Sequence, residues 1–214
     1  MKKIFAIGDI HGCFDLLKAL MESLPVCRRD DTLLFIGDYI DRGASSRKVV
    51  DYVIGLEEDF SQVIRLMGNH EQMFLRYLEG LDREMYLYNG GDMTLSDYGL
   101  SPRTAPPDVK AGIPAGHLRF FRSLMPYYET DEYIFVHAGL IPGRTLAKQD
   151  IHDLLWVRHE FIGSAYDFGK KVIFGHTPLA KPLIMPNKIG IDTGAVFGGR
   201  LTCVELPALK IYQV

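Results

Sequence analysis

The chain has few cysteines, and they are not arranged in pairs. Cys13, Cys27 and Cys203 are odd in number and far apart, so the sequence contains no Cys-x-x-Cys motif. Disulfide-rich domains and zinc knuckles both depend on paired cysteines. Three isolated thiols are more typical of a reducing compartment, and we expect a cytoplasmic protein.

A strong excess of charge and a long apolar run are also absent. The net charge is -3 at pH 7, which provides no basic field for nucleic acid or for anionic membranes. The apolar run after Met1-Lys2-Lys3 ends at Asp9, so it is too short for the core of a signal peptide. No later run is long enough to span a bilayer. We therefore expect neither nucleic acid nor a membrane among the partners.

What the sequence does contain is a repeated strand, loop and helix pattern. Its 214 residues are enough for one domain with a sizeable core. Short apolar strands are predicted at residues 4–7, 33–36 and 62–67, and each is followed by a polar loop and then by helical periodicity. Unbroken apolar strands are typical of an α/β fold in which both faces of the sheet are covered. In a parallel arrangement, the three polar loops converge along one edge of the sheet.

The segment from about residue 78 to residue 128 is less regular. It contains Asn89-Gly90-Gly91-Asp92, several prolines and one short helix predicted at residues 117–125. Because it lacks the apolar periodicity for a core of its own, we interpret it as an elaborated connection within a single domain of residues 1–214.

The remainder of the chain returns to regular structure. Strands are predicted at residues 133–136 and 171–174, and a helix runs through residues 149–158 between them. The tail has strands but no helices, which suggests a second, largely antiparallel sheet that packs against the first. Its predicted strands are residues 189–191, 201–206 and 209–212.

Polar residues directly follow five of the predicted strands. A single Asp or His at such a position usually caps a helix or makes a structural hydrogen bond. Five such strand ends in one chain, four of them with histidine, are hard to explain in that way. The residues are Asp9, His11, Asp38, Asp41, Arg42, Asn69, His70, His137 and His176. The other histidines, His117, His152 and His159, are interpreted as surface residues or as neighbours of the site.

This mixture of carboxylate, imidazole and amide groups suits two divalent metal ions, manganese, iron or zinc rather than calcium or copper(I). Asp38 lies in the central loop and is expected to bridge two ions about 3.5–4 Å apart. The expected ligands are Asp9, His11 and Asp38 for the first ion, and Asp38, Asn69, His137 and His176 for the second. A water held between two cations loses its proton near neutral pH and becomes a nucleophile. Arg42 and Arg158 would bind phosphate oxygens.

Five short motifs carry a family resemblance. They are Gly8-Asp9-Ile10-His11-Gly12, Gly37-Asp38-Tyr39-Ile40-Asp41-Arg42-Gly43, Gly68-Asn69-His70-Glu71, His137-Ala138-Gly139 and Gly175-His176-Thr177. In this order they resemble the phosphoprotein phosphatase (PPP) family of calcineurin-like metallophosphoesterases, in particular its compact bacterial and phage members. The resemblance implies two mixed β-sheets in a sandwich flanked by helices, with a dinuclear metal site at the C-terminal ends of the strands.

The resemblance also implies roles for individual residues. For each of the two metal ions it assigns the ligands named above, and manganese is the metal expected first. His70 matches the general acid and Asp41 the carboxylate that orients it, whereas Arg42, Arg158 and Asn69 match positions that bind the substrate phosphate. Pro178 occupies the place where broader metallophosphoesterases carry the last histidine of Gly-His-x-His, as in the PPP group.

The expected reaction is removal of phosphate from phosphoserine or phosphothreonine in proteins, by direct attack of a metal-bridging hydroxide. The alternative is symmetrical hydrolysis of diadenosine tetraphosphate, for which the aromatic and glycine-rich residues 86–98 would supply an adenine pocket. A catalytically inactive binding module is a third hypothesis. Such relatives usually lose a ligand or the Asp-Arg-Gly sequence, whereas this chain keeps both.

Overall fold

The protein folds into two five-stranded mixed β-sheets, seen in a computed structural model that describes residues 2–214. The strands of the first sheet in spatial order are β10 (Lys210–Gln213), β9 (Thr202–Leu206), β1 (Ile4–Ile7), β2 (Thr32–Phe35) and β3 (Val63–Arg65). β1 and β2 are parallel, as are β2 and β3, whereas β9 pairs antiparallel with β1 and β10 antiparallel with β9.

The strands of the second sheet in spatial order are β4 (Tyr127–Glu129), β5 (Tyr133–Val136), β6 (Lys171–Phe174), β8 (Lys188–Gly190) and β7 (Leu183–Ile184). β5, β6 and β8 are parallel neighbours, and β4 and β7 are antiparallel strands at the two edges. Three α-helices follow the first three strands: α1 (Phe14–Ser23), α2 (Ser46–Asp59) and α3 (Asn69–Leu78). Two short helices, α4 (Arg83–Tyr86) and α5 (Asp92–Asp97), lie in the long connection. The later ones are α6 (Pro106–Gly112), α7 (Ala115–Ser123), α8 (Ile151–Trp156) and α9 (His159–Ile162).

The side chains of the central strands alternate between two cores. In β1, Ala6 packs between the two sheets, whereas Phe5 and Ile7 face helices on the outer side of the first sheet. In β5, Phe135 packs between the sheets, and Ile134 faces the outer side of the second sheet, against α8 and α9. Both faces of each central strand are therefore buried, which explains the unbroken apolar runs in the sequence. The α/β sandwich of two mixed sheets flanked by helices is confirmed.

The prediction for the tail was wrong. β9 and β10 extend the first sheet instead of building the second, and β8 is the tail strand that joins the second sheet, parallel to β6. All five residues of β9 are buried, because it pairs with the edge of β1 that β2 leaves open. A run of apolar residues indicates a buried strand, but it carries no information about which distant edge the strand will join.

Residues 78–128 are also more helical than predicted. The prolines begin helices instead of interrupting them: Pro106 is the first residue of α6, and Pro114 immediately precedes α7. The first helical turn tolerates proline because its N–H group would have no partner within the helix. Tyr86, Leu95 and Phe121 of this connection pack in the same core as the outer face of β1.

Two further results concern the helices, the end of the one predicted at residues 149–158 and the question of a membrane-spanning helix. The helix predicted at residues 149–158 ends at Trp156, because Val157 is extended and Arg158 adopts a non-helical conformation, with φ -127° and ψ -100°. Among residues 2–214, none of the helices has both the length and the apolar character needed to cross a lipid bilayer.

Candidate active site

The predicted polar residues meet at the C-terminal ends of β1, β2 and β3 in one sheet and of β5 and β6 in the other. Two groups of ligand atoms form there, and within each group all atoms lie within 4.8 Å of one another. The groups are His11, Asp38 and His70, and Asp38, His137 and His176. Asp38 belongs to both groups, as expected for a carboxylate between two ions.

The loop that carries Asp38 is held in an unusual backbone conformation. Asp38, Asp41 and Arg42 have φ values of 52°, 71° and 67°, in the left-handed region that non-glycine residues rarely occupy. Glu71, fully buried in the first turn of α3, stabilises this conformation. Its carboxylate accepts hydrogen bonds from the backbone N–H groups of Asp38 and Tyr39 at 2.9 and 2.8 Å.

Glu71 accepts two more backbone hydrogen bonds, from the N–H groups of Gly68 at 2.9 Å and Ile40 at 3.3 Å. Burial, followed by the charges of Asp38 and Asp41, raises the pKa of Glu71 to about 8, and the N–H donors oppose that shift. The sequence motif contained Glu71, but its role was missed. The directions of backbone N–H groups in a loop cannot be read from residue types.

In the first group, hydrogen bonds orient His11. Its Nδ1 bonds the carbonyl of Ile40 at 2.9 Å, which leaves Nε2, 3.3 Å from Asp38 Oδ2, as the ligand atom. The Arg42 guanidinium also donates to this Nε2, at 2.8 Å. A cation and the guanidinium would therefore compete for the same lone pair.

In the second group, Asn69 links the two histidines. Its Oδ1 lies 3.0 Å from His137 Nε2 and 2.9 Å from His176 Nδ1, and His137 Nε2 is 3.4 Å from Asp38 Oδ1. The other ring nitrogen of His137 bonds the carbonyl of Ile36 at 3.1 Å, which directs Nε2 towards Asp38. Asn69 begins α3, so the end of the strand and the start of the helix together fix its position.

The electrostatics of the site favour bound cations. Burial lowers the pKa of His137 to about 4 and that of His176 to about 2, so both are neutral, the form that binds metals. Burial opposes ionisation of Asp38, but the nearby histidines, His137 first, hold its pKa well below the usual range. Burial, followed by the carboxylates of Asp192 and Asp38, raises the pKa of Asp9 well above its usual value.

Several buried polar atoms at this site lack a hydrogen-bond partner among residues 2–214: Asp9 Oδ1, His70 Nε2 and His176 Nε2. Buried atoms of this kind are costly unless a ligand or ion satisfies them. Together with the crowded carboxylates and neutral imidazoles, they fit a pair of divalent cations. Asp9 is in neither group. Its Oδ2 accepts the backbone N–H of His176 at 3.0 Å, and its place among the ligands of the first ion stays a prediction.

His70, which belongs to the first group, forms a buried pair with Asp41. His70 Nδ1 lies 2.7 Å from Asp41 Oδ2, and both side chains are fully buried. This arrangement leaves His70 Nε2 to face the site. The ring of His70 packs edge-on against that of His11, with their centroids 4.6 Å apart. The structure therefore brings the predicted acid and the predicted orienting carboxylate together.

The two predicted phosphate-binding arginines flank the site. Arg42 stacks against Phe197, an exposed side chain, with its guanidinium carbon 5.4 Å from the ring centroid. Arg158, between α8 and α9, donates to the carbonyl of His176 at 3.0 Å. Both guanidinium groups are thus anchored next to the candidate metal ligands.

The remaining histidines lie outside the ligand groups. His117 was predicted on the surface or beside the site, and this is wrong, because it is buried between α2 and α7, bonded to Asp51 and Tyr98. His159 is exposed, and His152 stacks on Trp156, whose ring packs edge-on against His176 with their centroids 6.1 Å apart.

Comparison with known proteins agrees with this geometry. Residues 2–196 match the family described as calcineurin-like phosphoesterase. The chain is 33% identical to serine/threonine-protein phosphatase 1 of Salmonella typhimurium (strain LT2), over 96% of this chain and 92% of that protein. It is 31% identical to the asymmetrical bis(5'-nucleosyl)-tetraphosphatase PrpE of Geobacillus sp. (strain WCH70), over 99% of this chain and 94% of that protein.

A solved structure described as a candidate diadenosine tetraphosphatase superposes with a TM-score of 0.76. It covers 100% of this chain and 93% of its own at 22% identity, which supports the fold alone. The resemblance read from five motifs is thus confirmed, and this chain is a hydrolase that belongs to the calcineurin-like phosphoesterase family.

Proposed function

We propose that this protein removes phosphate from phosphoserine and phosphothreonine in proteins. It uses two divalent metal ions for this reaction, and manganese is the metal that we expect. The observation that carries the proposal is the buried pair of His70 and Asp41, 2.7 Å apart. The alkoxide of serine or threonine is a poor leaving group and needs a proton as it departs. A phosphoanhydride releases a phosphate group instead, which needs that proton far less. A well-built general acid therefore favours a phosphomonoester substrate.

In this proposal, the residues of the chain divide the work. Asp41 accepts the Nδ1–H of His70 and stabilises positive charge on the ring, so that Nε2 holds the proton given to the leaving oxygen. Arg42 and Arg158 bind the phosphate oxygens through their planar guanidinium groups. Asn69 lies between His137 and His176, close enough to the same centre to contact a phosphate oxygen as well.

The cations would be held by Asp9, His11 and Asp38 on one side, and by Asp38, Asn69, His137 and His176 on the other. Such a pair supplies an activated water and neutralises charge that develops on the phosphoryl oxygens. Removal of the metals with a chelator should abolish hydrolysis of p-nitrophenyl phosphate, and added manganese should restore it. Activity that survives complete metal removal, checked by elemental analysis, would contradict the proposal.

His70→Asn is the variant that tests the acid. It should lower kcat by about 10²–10⁴-fold on a phosphoserine peptide, whose leaving group is poor. The loss should be much smaller on p-nitrophenyl phosphate, because p-nitrophenolate leaves without help from an acid. An equal loss on both substrates would remove His70 from this role.

The second candidate is hydrolysis of a dinucleoside tetraphosphate. The PrpE relatives carry the name of an asymmetrical enzyme, so this alternative takes the asymmetrical form here and not the symmetrical one expected from the sequence. In the stretch 86–98, where the adenine pocket is expected, Tyr86 and Tyr98 are buried in the core, whereas Tyr88 is 92% exposed. The exposed ring of Phe197 beside Arg42 is the feature that favours this candidate.

A side-by-side assay separates the two candidates. The manganese-loaded protein is given a phosphoserine peptide and diadenosine tetraphosphate under the same conditions, and kcat/KM is compared. A higher kcat/KM for the peptide supports the proposal. A higher value for the dinucleotide, with ATP and AMP as products, would replace it with the second candidate.

A further inference from the structure

The carboxylate of Asp41 has more partners than its contact with His70 requires. Its Oδ2 faces His70, whereas its Oδ1 accepts hydrogen bonds from the hydroxyl groups of Thr94 at 2.6 Å and Tyr86 at 3.0 Å. Asp41, Tyr86 and Thr94 are all fully buried. The two donors come from the long connection, α4 and α5, and not from the strand ends that carry the ligands.

Thr94 contacts Asp41 twice. Its Oγ1 also accepts the backbone N–H of Asp41 at 2.9 Å, and the Ser46 hydroxyl accepts the same N–H at 3.1 Å. The Thr94 hydroxyl therefore fixes both the backbone and the carboxylate of a residue whose φ is 71°. Ser46 shares the contact with the Asp41 N–H, but among residues 2–214 only Thr94 and Tyr86 donate to Oδ1.

With both of its oxygens engaged, the Asp41 carboxylate is held in one orientation. Rotation about its last side-chain bond would break the bonds to Thr94 and Tyr86 at the same time as the bond to His70. The hydroxyl donors add no charge to the site, so their effect is to fix the orientation of the Asp41 carboxylate. A buried hydrogen bond to a charged group is among the stronger ones in proteins, which makes this restraint a firm one.

Packing holds the donors themselves in place. A side chain at Gly91 would overlap the ring of Tyr86, so the π-helical turn at Leu87–Gly91 closes tightly over this ring. The carbonyl of Gly90, in the same turn, accepts the backbone N–H of Arg42 at 3.1 Å. The connection is therefore anchored to Asp41 and to the adjacent phosphate-binding residue at once.

We propose that Tyr86 and Thr94 are positioning residues for the general acid: their hydroxyl groups fix the Asp41 carboxylate so that it aims the imidazole of His70 at the leaving oxygen. This inference rests on the proposed function, because it concerns the proton that His70 gives to the leaving group. It assigns a catalytic purpose to a connection that carries none of the metal ligands.

The test compares two aryl phosphates in the manganese-loaded protein. Thr94→Val and Tyr86→Phe each remove one hydroxyl group with little change in volume, and Ser46 still accepts the Asp41 N–H. Each variant should lower kcat by about tenfold on phenyl phosphate, the expected size of one lost hydrogen bond to a buried charge. The loss on p-nitrophenyl phosphate should stay within about twofold, since its leaving group needs the acid little.

Matched variants separate positioning from folding. Thr94→Ser keeps the hydroxyl and should restore most of the activity on phenyl phosphate. Tyr77→Phe removes a hydroxyl from a buried ring that packs against Tyr86, with centroids 4.9 Å apart, but this hydroxyl does not contact Asp41. Tyr77→Phe should leave the ratio of the two rates unchanged.

A double-mutant cycle gives the decisive result. In a His70→Asn background, Thr94→Val should cause no further loss on phenyl phosphate, because the two residues act through the same proton. A further tenfold loss there, or an equal loss on both substrates in the single variants, would overturn the inference. If the inference fails in this way but His70→Asn loses far more activity on phenyl phosphate than on p-nitrophenyl phosphate, the proposed function still stands. If the wild-type protein with manganese hydrolyses neither ester, both fail.

Discussion

Gly68 is the position where one added methyl group should do the most damage to the site. Its backbone is ordinary, with φ -96° and ψ 169°, so any residue could adopt it. Space is the constraint. A Cβ at Gly68 would lie 2.8 Å from Glu71 Oε2, and it would overlap both a carboxylate oxygen and the backbone nitrogen of Asp38.

The cost of Gly68→Ala follows from these contacts. Overpacking in a rigid interior typically costs about 1–3 kcal/mol, and here the backbone of Asp38 cannot rotate away. Displacement of Gly68 also weakens the hydrogen bond from its backbone N–H to the Glu71 carboxylate, and a hydrogen bond to a charged group contributes about 1.5–3 kcal/mol. We expect a loss of about 3–5 kcal/mol from the free energy of unfolding, a large part of the roughly 5–15 kcal/mol of a typical domain.

Urea denaturation of the metal-free protein measures this loss, and elemental analysis after gel filtration measures how much manganese the variant retains. Gly55→Ala is the matched control, because Gly55 is exposed within α2 and an added Cβ there meets no atom within 4 Å. It should raise stability by about 0.5–1 kcal/mol. If Gly68→Ala lies within about 1 kcal/mol of the wild type and loads manganese fully, the close approach of Gly68 to Asp38 is not a real constraint.

Two further predictions concern pH and substrate affinity. Because the pKa of His137 is about 4 in the fold and about 6.5 when unfolded, the unfolded chain binds more protons between these values, and stability falls as pH drops through that window. Urea denaturation of the metal-free protein and of His137→Gln should differ by about 3 kcal/mol in this pH dependence, because His176 and Glu71, whose pKa values are also shifted, contribute equally to both proteins; an equal pH dependence in the variant would contradict the assignment. Phe197→Ala removes an exposed cation–π contact with Arg42, so KM for p-nitrophenyl phosphate should rise about two- to fivefold with kcat unchanged. An unchanged KM would show that the ring does not support Arg42.

Local patterns predicted some elements to the residue. The strands Ile4–Ile7, Tyr133–Val136 and Lys171–Phe174 coincide with their predicted bounds, because each is a short apolar run that ends abruptly in a polar loop. The same logic failed for residues 106–112, where prolines were taken to indicate irregular structure although Pro106 begins α6, whereas the helix predicted at residues 117–125 is α7, shifted by two residues to Ala115–Ser123. A proline marks a boundary, and the residues after it decide whether a helix follows.

The sequence by itself determined which donors the site contains and which family the chain belongs to. Both depend on residue types at fixed short spacings, such as Asp38, Asp41 and Arg42 in one loop. Only the tertiary structure decided which side chains meet, because contacts across many residues depend on the order of the strands. Thr94 reaches Asp41 across 53 residues, and Tyr86 does so across 45. Neither residue belongs to a motif, and a threonine or tyrosine in a connection is ordinary until its hydroxyl is seen to face a buried carboxylate.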